Sequence, residues 1–144
     1  MRRMLTTITA IVALAGSVAV AQKVTSPAEL DTTMKKIGPA QGVTAKAIQA
    51  GDFAAAKASV AIVKQALMDA ENFWVMNKKD DAIAFSKDAV AKATAVEQLL
   101  NAPAPDTQAL LAAQKTAGGA CAACHKTYRE QDANMQYQLK AGSI

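Results

Sequence analysis

Residues that could do chemistry are concentrated in one short segment, Cys121-Ala122-Ala123-Cys124-His125. It contains the only two cysteines and the only histidine of the 144-residue chain. A C-x-x-C-H sequence is typical of covalent c-type haem attachment, in which both thiols bond the haem and the adjacent imidazole binds its iron. On a helix, positions 121, 124 and 125 share one face, so both sulfurs and the imidazole project on the same side. The motif therefore predicts one covalent haem c held through Cys121 and Cys124, with His125 as an iron ligand.

The same five residues would also fit a disulfide, a thioredoxin-like redox pair, part of a zinc site, or a chance occurrence. A redox pair is expected within a βαβ pattern, and a zinc site needs further Cys or His ligands to complete its tetrahedron. The sequence supplies neither of these features. The haem interpretation is therefore favoured over the alternatives.

The elements that position the motif are predicted to be helices, because residues 22–144 are rich in Ala, Lys, Gln and Leu and contain few alternating apolar segments. The first helix is expected to begin with a capping box of Ser26 and Glu29 and to end at Gly51. Pro39 lies inside this helix and cannot donate a backbone hydrogen bond. The helix should therefore kink at Pro39 or split there into two short helices.

Three further predicted helices follow between sequence breakers. They span about residues 52–77, about residues 80–100, and from a cap at Asp106 through the motif, with an apolar pattern that can continue through Met135 and Leu139. Four amphipathic helices with short connections bury their apolar stripes by packing side by side. The expected fold class is all-α, an antiparallel four-helix bundle with covalent haem c on its last helix.

Residues 1–21 have the features of a secretory signal peptide. They contain two arginines at positions 2 and 3, a largely apolar stretch over 4–20, and a small-residue A-x-A cleavage site that ends at Ala21. We expect cleavage after Ala21 and export to the periplasm. An uncleaved membrane anchor is the alternative, but the stretch contains threonines and is short for a span, so no stable membrane anchoring is expected.

The charge of the chain is mildly positive. It falls from +4 to +2 when Arg2 and Arg3 are removed with the signal peptide. This is too small a charge to indicate nucleic-acid binding, and no basic patch interleaved with aromatic residues is present. No nucleic-acid partner is expected, and the charge is better explained as weak steering of a redox partner.

The segment from Cys121 to Arg129 has the pattern C-x-x-C-H-x-x-Y-R and lies close to the C-terminal end of the sequence. In both respects residues 22–144 resemble the cytochrome c′ family, the class II cytochromes c, which are four-helix bundles. The resemblance implies a periplasmic mono-haem cytochrome that is not an enzyme and whose partners are redox proteins. Many relatives form homodimers through their first two helices, and the sequence leaves open whether this chain does.

The resemblance extends to Met34, which begins the segment Met34-Lys35-Lys36-Ile37-Gly38. Low-spin family members carry their sixth iron ligand in a similar M-K-x-x-G segment, which implies Met34 as a ligand opposite His125 and a role in electron transfer. High-spin members instead have an apolar residue there and bind nitric oxide or carbon monoxide at an open sixth site. Because Met34 also lies on the apolar stripe of the first helix, a role as core filler stays open.

Arg129 follows His125 by four residues, and the resemblance implies a cation near the imidazole and the haem edge that tunes the potential of the iron. A solvated cation at a helix end is the alternative. The family often has Arg-Gln where this chain has Leu30-Asp31, so the usual haem-propionate contact is not expected here.

The remaining methionines rank below Met34 as iron ligands. Met68 and Met76 are expected in the core or on the surface of the second helix. Met135 is expected on the same helix as His125, about ten residues on and ~15 Å along the axis, so it cannot reach the other face of the iron. No role is predicted for residues 130–144, and the sequence does not name the electron donor and acceptor.

Overall fold

The computed structural model describes residues 23–144, in which four helices are followed by a short hairpin. The elements are α1 (Pro27–Ala50), α2 (Phe53–Met76), α3 (Asp80–Leu100), α4 (Thr107–Tyr128), β1 (Arg129–Gln131) and β2 (Tyr137–Leu139). Consecutive helices pack against one another, and α4 also contacts α1, which closes the bundle. The predicted all-α four-helix bundle is confirmed. The predicted signal peptide and its cleavage site after Ala21 lie outside the described residues.

The start and end of α1 are fixed by local hydrogen bonds, as predicted. The Ser26 hydroxyl accepts a hydrogen bond from the backbone N–H of Glu29 at 3.3 Å, and the Glu29 carboxylate accepts one from the N–H of Ser26 at 3.0 Å. These reciprocal bonds form a capping box, which satisfies N–H groups that have no partner within the helix. Gly51 ends α1 in the left-handed region at φ 73°, where a side chain would be strained.

The helix α1 runs without interruption through Pro39, so of the two outcomes predicted at this residue, a kink or a split into two helices, the split is wrong. Pro39 and Lys35, whose carbonyl loses its partner, are both exposed, and water can take the place of the missing hydrogen bond. Ile37 and Ala40 lie on the buried side and join the core of the bundle. Their packing keeps the two halves of α1 in one helix.

The core consists of three clusters along the bundle. The cluster farthest from the motif contains Ile48, Leu100 and Leu110, all of them fully buried. The central cluster consists largely of alanines, and the third contains Phe73, Trp74 and Tyr128. The side chains therefore become small in the middle of the bundle and aromatic toward the end of α4.

The end of α4 differs from the prediction that the helix can continue through Met135 and Leu139. It stops at Tyr128, Arg129 is extended at φ −114°, and β1 pairs antiparallel with β2. The Asp132 carboxylate accepts hydrogen bonds from the N–H groups of Asn134 and Gln136, both at 2.8 Å. Such a local side-chain turn competes with helical hydrogen bonding, which explains why the helix does not continue.

No helix within residues 23–144 is long and apolar enough to span a membrane.

Candidate functional site

A large cavity lies at the end of the bundle where α4 meets the hairpin. Its volume is about 1010 Å³, and residues of all four helices and of the hairpin line it. Pockets that hold drug-sized ligands and cofactors have volumes of about 300–1,000 Å³, so this cavity is at the upper end of that range. A group as large as a tetrapyrrole matches a cavity of this size.

The cavity exists because small residues line the inner surfaces of the helices. Gly38, Ala70, Ser86, Ala89 and Ala120 come from four different helices and all border it. Helices in bundles pack with their axes about 8–10 Å apart, and larger side chains at such positions would normally fill the space between them. The small side chains at these positions leave that space unfilled by the protein itself.

The helix α4 places the whole C-x-x-C-H motif on this cavity. Cys121, Cys124 and His125 are half-buried and all line it, as expected for positions i, i+3 and i+4 of one helix. The two thiols are free and form no disulfide. Ala120 and Tyr128, which are buried, hold this face of α4 toward the bundle. The structure therefore brings together the two thiols and the imidazole that haem attachment needs.

Met34 reaches the same cavity from α1. It is partly buried and packs against both the central cluster and the aromatic cluster. Met68 and Met76 are exposed and are not among the residues that line the cavity. Of these three methionines, the structure places only Met34 with the motif.

Met135 was excluded as an iron ligand because it was expected on the same helix as His125. This prediction is wrong, because α4 ends before Met135. The chain turns back after Tyr128, and Met135 lines the same cavity from the turn of the hairpin. Its side chain is 68% exposed, and its backbone is in the left-handed region at φ 61°. Met34 and Met135 are therefore both candidates for the second iron ligand on grounds of position.

Arg129 lies at the first position of β1 and also lines the cavity. It is half-buried, and its guanidinium carbon is 3.9 Å from the centre of the Tyr137 ring. This is a cation–π contact, which restrains the guanidinium more than solvent alone would. The side chain is consequently placed at the site and is not a freely solvated cation at the helix end.

Burial dominates the electrostatics of the motif. It raises the pKa of Cys124 to about 11, with smaller contributions from Cys121 and Asp81, and it also raises the pKa of Cys121. The pKa of His125 is lowered, first by burial and then by the positive charge of Arg129. Both thiols are therefore protonated and the imidazole neutral at neutral pH. Reactive redox cysteines have lowered pKa values instead, so these shifts do not favour a thioredoxin-like pair.

Asp81 does not line the cavity but bonds Tyr128, which does, and the sequence did not indicate this contact. It lies in the first turn of α3, and its carboxylate accepts a hydrogen bond from the Tyr128 hydroxyl. This bond lowers the pKa of Asp81, whereas burial, followed by the bond to Asp81, raises the pKa of Tyr128 to about 12. Residues 47 positions apart give no periodic signal in a sequence, and an acid at a helix start has a sufficient local explanation.

The aromatic cluster forms a rigid side of the cavity. The rings of Trp74 and Tyr128 are 4.7 Å apart, and those of Phe73 and Trp74 are 5.0 Å apart in an edge-to-face arrangement. Trp74 and Tyr128 line the cavity, and Phe73 is fully buried behind them. The Tyr128–Asp81 bond joins this cluster to α3, which fixes the end of the motif helix in the bundle.

Neither Leu30 nor Asp31 provides a cation to the cavity. Leu30 is buried, and Asp31 forms an ion pair with Lys35 at 2.7 Å on the exposed surface of α1. Both residues line the cavity, as does Lys35. Polar groups for the rim of a bound cofactor come in addition from Gln136 and Gln138 of the hairpin.

Comparisons of the chain with protein-family models, with curated proteins and with solved structures found no match. Among residues 23–144, no three His, Cys, Asp or Glu side chains form a group that could hold a metal ion by themselves. The function is therefore inferred from the motif and from the cavity on which it lies.

Proposed function

We propose that this chain is a periplasmic c-type cytochrome with one haem that works in electron transfer, as its resemblance to the cytochrome c′ family implies. Cys121 and Cys124 would bind the haem covalently, with His125 and Met34 as the iron ligands. One observation carries the proposal: the motif and Met34 come from different helices and line one cavity of about 1010 Å³. The partners would be redox proteins, and no catalytic activity is proposed.

The residues that line the cavity are suited to haem c. Its volume is sufficient, its walls combine small and apolar side chains, and two thiols stand beside an imidazole on one of them. A thioether on α1 completes a His/Met ligand set, which is a familiar arrangement in cytochromes and raises the reduction potential. Haem bound in this way supplies reversible one-electron chemistry, while the protein supplies binding and orientation.

The protein residues would each have a defined task. Cys121 and Cys124 fix the cofactor to α4, and the neutral imidazole of His125 is the form that binds a metal. The buried aromatic cluster around Trp74 excludes water from one side of the cavity. Two protein ligands from different helices keep the coordination unchanged between redox states, so that little rearrangement accompanies the electron.

A second candidate function is the binding of nitric oxide or carbon monoxide at an open sixth position. The observation that favours it is the packing of Met34 against two core clusters, which is how a methionine used as core filler behaves. In that case only His125 would bind the iron. The small residues around the cavity would then leave space for a diatomic ligand.

Spectroscopy of the haem-loaded full-length chain tests both candidates. The protein is produced in a host that exports it and attaches haem, and its absorption is measured in both oxidation states with and without carbon monoxide. A low-spin spectrum with a methionine–iron charge-transfer band, unchanged by carbon monoxide, supports the electron carrier. A high-spin spectrum that shifts with carbon monoxide supports the gas-binding candidate, and a chain without covalent haem contradicts both.

Two variants provide the controls for this experiment. Cys121→Ala combined with Cys124→Ala should abolish covalent attachment, so that denatured protein no longer retains haem. Met68→Leu changes an exposed methionine that does not line the cavity and should leave the spectrum unchanged. Covalent haem that survives the double substitution would contradict the proposed attachment.

A further inference from the structure

The hairpin formed by β1 and β2 is part of the cavity wall. Arg129, Met135 and every residue from 136 to 139 line the cavity, although the sequence predicted no role for this segment. An isolated two-stranded hairpin is at best marginally stable in water, so its position depends on contacts with the rest of the protein. Three sets of contacts hold it in place, one with α4 and the aromatic cluster and two within the hairpin itself.

The first set ties the base of the hairpin to the end of α4. The backbone N–H of Lys140 donates to the carbonyl of Tyr128 at 2.9 Å, and the Lys140 ammonium donates to the carbonyl of Lys126 at 2.7 Å. Leu139 packs against the aromatic cluster that contains Trp74. The base of the hairpin is therefore attached directly to the helix that carries the motif.

The second set fixes the turn. Besides the two bonds to its carboxylate, Asp132 exchanges backbone hydrogen bonds with the turn: its N–H donates to the carbonyl of Gln136 at 2.9 Å, and its carbonyl accepts from Met135 at 3.0 Å. The left-handed conformation of Met135 costs free energy for a residue with a side chain. The turn thus holds Met135 in an uncommon conformation at the edge of the cavity.

The third set is the contact between Arg129 and Tyr137. Arg129 pairs with Leu139 in the hairpin register, and Tyr137, two residues before Leu139, is its diagonal neighbour on the same face. The guanidinium carbon lies 3.9 Å from the centre of the Tyr137 ring. Tyr137 is 50% exposed, and it lines the cavity beside Arg129. A group bound in the cavity would cover part of this ring.

We propose that the hairpin is a wall of the haem cavity in which Tyr137 is a positioning residue that holds the Arg129 guanidinium at the site beside His125. This inference rests on the proposed function, since it concerns the reduction potential of a haem bound in the cavity. A fixed positive charge near the iron favours the state with one more electron. Arg129 held in this way should raise the reduction potential, and losing the Tyr137 ring should lower it.

The test measures the midpoint reduction potential of the haem-loaded full-length chain and its variants by spectroscopic titration. Arg129→Gln removes the charge, and Tyr137→Val removes the ring but keeps a residue that favours strands. Both should lower the potential, Arg129→Gln by more. For Tyr137→Val, the ratio of reduced to oxidised protein at the wild-type midpoint should fall by a smaller factor than for Arg129→Gln, because the positive charge stays on the chain but is no longer held at the site.

Two matched variants separate this role from general effects. Tyr137→Phe keeps the aromatic face and should restore the wild-type potential. Lys126→Gln also removes one positive charge near the end of α4, but Lys126 is exposed and does not line the cavity, so its effect should be much smaller than that of Arg129→Gln. Helix content by circular dichroism shows whether each variant folds, and Tyr137→Leu replaces Tyr137→Val if the latter does not.

The outcomes distinguish this inference from the proposed function. Wild-type protein without covalent haem would overturn the proposed function and the cavity wall together. Haem-loaded protein in which Arg129→Gln has the wild-type potential would overturn the role of Arg129 alone. A lowered potential in Arg129→Gln but not in Tyr137→Val or Tyr137→Leu would overturn the role of Tyr137, because the ring would then not hold the charge.

Discussion

Met34 borders two different environments, the cavity on one side and the core on the other. A thioether is a soft ligand for iron and also a flexible filler of irregular gaps, so its chemistry suits both environments. The two candidate functions divide on which of these roles the residue has. A substitution that keeps volume and removes the sulfur separates them.

We expect Met34→Leu to change the iron without unfolding the bundle. Exchange of Met for Leu costs less than about 1.5 kcal/mol in most cores, because the two side chains have similar volumes. If the sulfur binds iron, its loss opens the sixth position, and the ferrous protein should acquire carbon monoxide sensitivity. The absorption spectrum with and without carbon monoxide is the measurement.

Met135→Leu is the matched control for that substitution, since Met135 also lines the cavity. It should leave the low-spin spectrum unchanged if Met34 is the ligand. The reverse pattern, with an unchanged spectrum in Met34→Leu and a high-spin spectrum in Met135→Leu, would assign the ligand to the hairpin. An unchanged spectrum in both variants would contradict methionine ligation.

The bond between Tyr128 and Asp81 should make stability depend on pH at the acid end. Because the bond lowers the pKa of Asp81 below its ordinary value of 3.8 in the folded state, its contribution is present above that value and is lost as the pH falls through the folded pKa. Asp81→Asn should therefore destabilise the protein at pH 6 and have little effect near pH 2. Denaturant unfolding of both proteins across this range is the measurement.

Tyr128→Phe supplies the control, because it removes the hydroxyl that lowers the pKa of Asp81. In that background, Asp81→Asn should have a much smaller effect at pH 6. An equally large effect would mean that Asp81 acts through another interaction, such as its hydrogen bond from the backbone of Ala82.

Among the elements, α1 was predictable at its ends and not in its middle. Capping boxes and a terminal glycine are local signals that need no knowledge of tertiary structure, and both are present in α1. Whether a proline divides a helix depends on packing, and here Ile37 and Ala40 are buried on the side away from Pro39. The local sequence did not determine whether α1 continues through Pro39, and the packing of Ile37 and Ala40 did.

Pro39→Ala should stabilise the protein. Alanine restores the N–H that proline lacks and is about 3 kcal/mol more favourable in a helix interior, although the unfolded chain regains about 1 kcal/mol of entropy. Because Pro39 is exposed and a Cβ on neighbouring Gly38 meets no atom within 4 Å, no clash is expected on this surface. The unfolding midpoint should rise, by an amount that corresponds to about 2 kcal/mol. A lower midpoint would show that α1 needs the proline.

The hairpin shows where prediction from sequence ends. The apolar residues Met135 and Leu139 continue the helical spacing of α4, so periodicity alone extends the helix. The turn depends instead on Asp132 and on the contact of Leu139 with the aromatic cluster, which is not local in sequence. The sequence singled out five residues for the candidate site, and all of them line one cavity: Cys121, Cys124, His125, Met34 and Arg129. The contacts made by Asp81 and Tyr137 were not predicted.

At the scale of the whole molecule, the bundle has two unlike ends. Ile48, Leu100 and Leu110 pack closely at the end away from the motif, and none of them lines the cavity. At the other end, the side chains that line the large cavity have the cavity instead of protein atoms on one side. The stability of that end should therefore depend on what the cavity holds.

We expect the chain without haem to stay helical but to be less stable. Cys121→Ala with Cys124→Ala, compared with the haem-loaded protein, should lower the thermal midpoint by more than about 5 °C. Amide hydrogen exchange should accelerate around Trp74 and Tyr128 and change little around Ile48. Wild-type chain produced without haem attachment should behave as the double variant does. A uniform loss of protection along the bundle would contradict two ends of unequal stability.

The alanines and glycines around the cavity also indicate which substitutions would stabilise this bundle in the absence of a cofactor. Because small side chains leave the cavity unfilled, larger apolar side chains at the same positions should fill it and stabilise the bundle without a bound molecule. Leucine at Ala89 or Ala120, two lining positions on neighbouring helices, would extend apolar volume into the cavity. Such a chain should gain stability as a helical bundle without a cofactor and should lose the proposed binding of haem, because leucine side chains would occupy the same space.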